Sequence, residues 1–305
     1  MKGMPADVDL EDALAEFDAV RPRLFGIAYR MLGSVVEAED VVQDAWLKWQ
    51  ATDRAGVRVP AAFLSTMTTR LALNVAQSAH ARRETYLGPW VPEPVDTSLD
   101  PLLGAERGEA LELALLMLLE KLTPRERAAY VLHEAFAYPF ADIGAVLTIS
   151  EAAARQLVSR ARKHLADERS ARVDPQEQRR LLDAFIAAAG SGDVAALEAL
   201  LTEDVVTYSD GGGVASAARR PVFGRARVAA FITGIAAKLG PGQQVLRIEA
   251  NGLSSMLFTR GDEIYAFGTV DASADGIDRV LLVLNPAKLT TIAQHASDAS
   301  GESVR

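Results

Sequence analysis

Residues 122–165 read LTPRERAAYVLHEAFAYPFADIGAVLTISEAAARQLVSRARKHL, and the spacing of caps and apolar residues there predicts two short helices, a tight turn and a third helix. The first runs from about Pro124 to Glu134. Thr123 stands as its N-cap, Pro124 occupies the first helical position, and Glu126 lies where its carboxylate can return to the cap N–H. Ala128, Val131, Leu132 and Ala135 form its apolar face. The second covers Phe140 to Leu147, with Ile143, Val146 and Leu147 on the inner side, and Thr148-Ile149-Ser150 makes the turn, Ser150 capping the third helix. On that helix Ala154, Leu157, Val158, Ala161 and Leu165 recur at three- and four-residue spacing, which leaves Arg155, Gln156, Ser159, Arg160, Arg162 and Lys163 on the open face. A basic amphipathic face is usually only solvated surface. Combined with this turn spacing and capping, it instead points to a helix-turn-helix whose last helix reads DNA.

Composition narrows what surrounds this element. The chain has 305 residues, enough for two or three domains, and a net charge of −9, which argues against a free-standing DNA binder because phosphate attraction carries much of such affinity. Such a protein borrows affinity from a larger partner. There is no cysteine, so disulfides, thiolate metal sites and cysteine nucleophiles are excluded. His80, His133, His164 and His295 are scattered and do not make a metal cluster, and no cofactor motif is present. The N-terminus, MKGMPADVDLEDALAEF, is acidic without an apolar secretory core, and no uncharged run is long enough to span a bilayer; a cytoplasmic protein without a membrane partner is expected.

Upstream, Phe17 to Leu32 reads as a helix closed by Gly33, and Ser34 begins a second, VVEAEDVVQDAWLKWQ, with Val35, Ala38, Val42 and Ala45 inward and Glu37, Asp40, Gln43, Asp44 and Lys48 outward. A third, Ala61 to Arg83, has Leu64, Met67, Leu71 and Val75 as its core stripe; it presents Arg70, Asn74, Gln77, Arg82 and Arg83 as groups able to contact bases and phosphates.

Together these blocks resemble the extracytoplasmic-function sigma factors of the sigma-70 family. The string EAEDVVQDAWLKW is similar to the segment with which such proteins grip RNA polymerase core. Carried over position by position, Asp40, Gln43 and Asp44 become the core contacts, with Trp46 and Trp49 anchoring the helix. The resemblance implies core polymerase, through its beta and beta-prime subunits, and promoter DNA as partners. The helix over 61–83 would open the minus-10 element, with base capture in the loop around Arg54 to Val59, and the helix-turn-helix would dock at the minus-35 element.

Pro89, Pro92, Pro94 and Pro101 then make a semi-rigid linker, within which YLGPWVPEP resembles a signature of the subgroup carrying a fused C-terminal SnoaL-like domain. Beyond Arg172 the composition changes. Asp174-Pro175 opens a helix over Gln176–Ala189 ended by Gly190, Asp193 caps a shorter one to Leu201, and a third spans about Ala226 to Lys238. Alternating segments lie at Val205–Ser209, Val245–Glu249, Leu253–Thr259, Glu263–Val270 and Arg279–Leu284. Helices followed by a curved antiparallel sheet predict an α+β cone, similar to the SnoaL-like, NTF2-like fold. Asp210-Gly211-Gly212-Gly213 and NPAKL, which begins at Asn285-Pro286, match two signatures of the same subgroup and are expected to make a regulatory contact with the two sigma domains. VASAA follows DGGG where a lysine is usual, and Ala287 stands where an acid is usual, which leaves open any ion pair made there.

The fold class expected is multidomain, with two all-α domains and an NTF2-like cone. The divisions are a sigma-2 domain at 10–83, a linker at 84–105, a sigma-4 domain at 106–170, a regulatory domain at 174–290 and a tail at 291–305. The function expected is an alternative sigma factor controlled in cis. The competing readings are a helix-turn-helix regulator sensing an unidentified small ligand in the cone, or a residual SnoaL-type activity using Asp204, Tyr208 or Asp210. Against catalysis, no histidine lies between Asp174 and Leu289, and no paired carboxylates offer an acid and a base.

Overall fold

The computed structural model describes residues 5–97, 112–166, 173–238 and 242–293. These pack as two units: 5–82 with 118–166, and 83–97 with 112–117 and 173–293.

The first unit begins with α1 (Pro5–Asp18), α2 (Arg21–Leu32), α3 (Val35–Gln50) and α4 (Pro60–Glu84). The single helix expected over Phe17–Leu32 is broken instead between Asp18 and Arg21. Pro22 falls in the first turn of α2, where a missing N–H costs nothing, whereas it would disrupt a helix running through it. The stripe expected on α4 is also corrected. Leu64 is buried, but Met67, Leu71 and Val75 are half-buried, and the buried side consists of Ser65, Thr68, Thr69, Ala72, Ala76 and Ala79. Small groups let neighbouring helices approach, and the Ser65 and Thr69 hydroxyls donate to the Ala61 and Ser65 carbonyls at 2.8 and 2.7 Å, so these polar atoms enter the core already satisfied.

After α5 (Leu113–Leu119) comes the helix-turn-helix, α6 (Pro124–Glu134), α7 (Phe140–Leu147) and α8 (Glu151–Ala166). Both halves of the Thr123–Glu126 capping box form. Burial raises the Glu126 pKa, but the Thr123 hydrogen bonds and the charges of His164 and Arg160 outweigh it, holding the carboxyl below the usual range. Thr148 adopts a left-handed conformation at φ 57°, and the chain folds back so closely that a Cβ on Gly144 would sit 2.8 Å from the Ile149 carbonyl.

The second unit contains α9 (Pro175–Ser191), α10 (Val194–Leu200), α11 (Arg225–Ala236) and the strands β1 (Leu201–Asp210), β2 (Val222–Phe223), β3 (Gln243–Ala250), β4 (Leu253–Arg260), β5 (Glu263–Ser273) and β6 (Gly276–Val283). The sheet order is β2-β1-β6-β5-β4-β3. It is mixed rather than antiparallel, because β1 and β6 run parallel, joined through the rest of the domain. Register shifts in the β1–β6, β4–β5 and β5–β6 pairs bend it into a cone. Its core joins Leu182 and Phe185 of α9 and Ile232 of α11 to Met256, Val270 and Val280 of the sheet. The proline-rich segment belongs to this unit: Val91 to Val95 are buried, and Val95 and Asn251 exchange hydrogen bonds at 2.9 and 2.8 Å.

Gly144→Ala is expected to destabilise the helical unit by about 1 to 3 kcal/mol, since only backbone could yield to the new methyl group. Gly190, inside α9 and not its terminator, has nothing within 4 Å of its built Cβ, so Gly190→Ala is expected to be neutral or to stabilise by about 0.5 to 1 kcal/mol. Urea unfolding of the two variants checks both.

Candidate nucleic-acid interface

The third helix of the helix-turn-helix, α8, buries Ala154, Leu157, Val158, Ala161 and Leu165 and leaves Arg155, Gln156, Ser159, Arg160, Arg162 and Lys163 exposed. Its arginines lean on local acids: Arg155 on Glu151 at 2.9 Å, Arg160 on Glu126 at 3.2 Å and Arg162 on Glu134 at 2.6 Å. The Arg155 guanidinium also lies 4.6 Å from the centre of the Phe140 ring. The Arg155 pair is exposed on both sides, worth about 0 to 1 kcal/mol, and exchanges readily for phosphate, whereas Arg160 rests on the buried Glu126 and Arg162 on the partly exposed Glu134. Lys163 has no ion partner among the described residues.

On α4, Asn74 and Gln77 are exposed, and the Arg82 side chain lies outside the described residues. Arg70 is engaged: its Nε donates to the Val146 carbonyl at 2.9 Å and a terminal nitrogen to the Ala145 carbonyl at 3.0 Å, at the C-terminal end of α7. A second tie between the N-terminal helices and the helix-turn-helix is Arg127, whose Nε donates to the Arg30 carbonyl at 3.0 Å while its guanidinium pairs with Glu120. In the second unit, Arg83 stacks over Trp90, 3.9 Å from the ring centre. The loop around Arg54 forms a short 3-10 turn, Arg54–Gly56, and leaves Val59 exposed.

Asp40, Gln43 and Asp44 are exposed along one side of α3. The anchoring role expected of the tryptophans is directed at α1, an element the sequence reading did not place. Trp49 is fully buried and donates to the Ala13 carbonyl at 3.1 Å, and Trp46 packs on Phe17 with ring centres 5.1 Å apart. Leu10, Ala13, Leu14 and Phe17, spaced as one helical face, are the signal that could have revealed it.

In the second unit, the two glycine- and proline-containing signatures meet at Asp210, which is 0% exposed. One carboxylate oxygen accepts from the Tyr86 hydroxyl at 2.6 Å and the Gly212 N–H at 3.0 Å; the other accepts from Lys288 Nζ at 2.7 Å and the Val91 N–H at 2.9 Å. Asn285 Nδ2 donates to the Tyr86 oxygen at 2.9 Å, and Pro286 opens a 3-10 turn that carries Lys288 inward, 4.3 Å from the Trp90 ring centre. Burial, reinforced by the Asp210 hydrogen bond and charge, pushes the Tyr86 hydroxyl well above its ordinary pKa. Burial pulls Lys288 down, against the attraction of Asp210.

An ion pair that uses neither of the two departing positions is made here, between Asp210 and Lys288, the residue after Ala287. Lys288, Tyr86 and Trp90 are site residues that the sequence reading missed as partners, although each lies inside a quoted motif. The hydrogen bonds to the Asp210 carboxylate come from Tyr86, Val91, Gly212 and Lys288 of its own unit. Each glycine that follows has a separate steric reason. A Cβ would stand 2.4 Å from the Ala215 oxygen at Gly211, 2.4 Å from Asn285 Nδ2 at Gly212 and 2.8 Å from Leu87 Cδ1 at Gly213.

The cone encloses a cavity of about 110 Å³ lined by Phe185, Ile186, Ala189, Gly190, Ile232, Ile235, Ala236, Val245, Met256, Phe258 and Leu282. Asp204 is exposed, Tyr208 is half-buried and Asp210 sits at the ion pair; none of them lines the cavity. Among the described residues no group of His, Cys, Asp or Glu could hold a metal, and no helix is long and apolar enough to cross a membrane.

Comparison with known proteins matches residues 17–84 to sigma-70 region 2 and residues 112–165 to sigma-70 region 4. The ECF RNA polymerase sigma factor SigJ of Mycobacterium tuberculosis is 43% identical over 235 residues, 75% of this chain and 75% of that protein. A probable ECF RNA polymerase sigma factor, SigI, of the same organism is 33% identical over 200 residues, 64% of this chain and 69% of its own. The crystal structure of the Mycobacterium tuberculosis sigma factor SigJ superposes with a TM-score of 0.74 at 35% identity, covering 91% of this chain and 98% of that one.

Asp210→Ala would leave Lys288 buried without its counter-charge and is expected to cost about 3 to 5 kcal/mol in the cone, read by urea unfolding. The double replacement Asp210→Ala, Lys288→Met is expected to recover part of that loss, because it removes the stranded charge.

Proposed function

Since the chain belongs to the extracytoplasmic-function RNA polymerase sigma factors, and so is an alternative sigma factor that binds polymerase core and promoter DNA, we infer how its surfaces divide that work. The observation that carries the inference is α8, whose buried stripe turns an unbroken polar and basic face outward. Arg155 and Gln156, in its first turns, are the base readers of the minus-35 element, while Ser159, Arg160, Arg162 and Lys163 serve its phosphates. Asn74, Gln77 and Arg70 of α4, with Arg82 and Arg83, are assigned to the minus-10 element; for Arg70 this requires leaving the Val146 and Ala145 carbonyls. Asp40, Gln43 and Asp44 on α3 are the contacts to the beta and beta-prime subunits, which places the protein's work in the cytoplasm.

The division into sigma-2, linker, sigma-4, regulatory domain and tail follows the boundaries read from sequence, with the linker bound to the cone through Tyr86 and Val91. Regulation in cis is the role assigned to the cone, and Asp210→Ala, by loosening that hold, should change transcription output while core binding persists. A second reading of the cone, as a ligand sensor, is supported by its apolar cavity; the lining contains no titratable side chain to act as acid or base.

Transcription in vitro with core polymerase on a promoter panel tests the assignment. Arg155→Ala is expected to cost about 1 to 3 kcal/mol of discrimination between promoters, and Lys163→Ala to weaken all promoters evenly. Equal selectivity of wild type and Arg155→Ala would overturn the base-reading role. Asp40→Ala with Gln43→Ala is expected to abolish co-purification with core while leaving thermal unfolding nearly unchanged, because both side chains are exposed.

A further inference from the structure

Between Gly211 and Ile248 the chain carries six cations, Arg219, Arg220, Arg225, Arg227, Lys238 and Arg247, and no acid, within a protein of net charge −9. Two are used internally. Arg225 donates to the Leu201 carbonyl at 2.9 Å and faces Glu203 at 3.5 Å, and Arg247 pairs with Asp183 at 2.7 Å. Arg219, Arg220, Arg227 and Lys238 are exposed and have no ion partner among the described residues.

Their placement follows from the fold. α11 buries Val228, Ala229 and Ile232, so Arg227 and Lys238, about three turns apart, fall on the outer side. Between them the exposed positions on that side are Ala230, Gly234 and Ala237, with the half-buried Phe231 beside them, so no long exposed side chain would keep a rigid polyanion away. Arg219 and Arg220 project from the segment before β2, fixed by the Ala218 N–H donating to Ser209 Oγ at 2.9 Å and by pairing of Val222 and Phe223 with Thr207 and Val206. Phe223, between the two arginine groups in sequence, is 58% exposed. The acids nearest along β1 are Glu203, already facing Arg225, and Asp204.

We propose that Arg219, Arg220, Phe223, Arg227 and Lys238 form a phosphate-binding surface by which the cone itself contacts duplex promoter DNA. The inference rests on the sigma-factor reading and extends it to a domain that the reading treats only as regulatory. Guanidinium forks without partners match phosphate geometry, and a face of small residues permits the close approach that a backbone needs. The tether supplies proximity: the chain from Ala166 at the end of α8 to Val173 can span at most about 25 Å, so DNA held by α8 is offered to the cone at high effective concentration. Such contacts carry no base information and act on affinity and its salt dependence.

The test uses holoenzyme assembled beforehand from core polymerase and either wild type or the triple variant Arg219→Ala, Arg220→Ala, Arg227→Ala. Binding to a fluorescent promoter duplex is measured over a series of salt concentrations. The slope of log affinity against log salt is expected to become shallower by roughly 2 to 3, with affinity at low salt falling about tenfold or more on every promoter alike. The corresponding triple lysine variant, which restores the charge, should return the slope, a result that a merely misfolded cone would not give. An unchanged slope for the alanine variant, in an assay where Lys163→Ala does alter it, overturns the proposal. So does a loss of core affinity with the DNA slope intact, which would assign the surface to an acidic protein partner.

Discussion

A carboxylate removed from water costs several kcal/mol unless its lone pairs are all used, and in the second unit much follows from meeting that demand at Asp210. Its acceptors take a phenol and a main-chain N–H from the proline-rich segment, an N–H from the glycine loop and the ammonium of Lys288. Satisfying them pins the linker to the end of β1 and brings the 3-10 turn after β6 alongside it. The same crowding explains why three glycines stand in succession: each faces a different neighbour, and only one of these contacts is with the loop's own backbone. Charge, turn and linker are one structure, although they are far apart in the chain.

The helical unit solves a different problem with the same kind of group. Arg127 and Arg70 both spend their donors on main-chain carbonyls of another helical element, Arg30 in one case and Ala145 with Val146 in the other. A helix end presents carbonyls without partners, and a guanidinium meets them with several donors in one plane. These ties join the N-terminal helices to the helix-turn-helix. Arg23, lying over the Phe136 and Tyr138 rings at 5.2 and 5.5 Å, adds to them.

The limits of α6 and α7 were legible because their signals are local: Thr123, Pro124 and Glu126 act within one turn, and Thr148 to Ser150 contain the whole reversal. The buried face of α4 was not legible. Ser65 and Thr69 read as outward residues until their hydroxyls are seen bonded to the preceding turn. The break before Arg21 was misread because apolar periodicity continues across it and only Pro22 marks it. The parallel pairing of β1 with β6 joins segments some seventy residues apart, and no periodicity within either strand distinguishes that partner from an antiparallel one. Around Asp210 the motifs were legible, but their joining was not, since the sequence shows Lys288 only as an ordinary charged residue after Ala287. Polar partners far apart in sequence are chosen by the fold, whereas caps are chosen by their neighbours.

The engagement of Arg70 with the end of α7 has a consequence for the protein when it is not carrying out initiation. Three arginines of α8 rest on carboxylates, and a fourth, on α4, is occupied by carbonyls. A genome offers a vast excess of wrong sites, and any protein with bare cations is held up on them. Occupied in this way, each of these four arginines must give up an acceptor before a phosphate can take its place, which lowers the pull of wrong sites on this face without removing it.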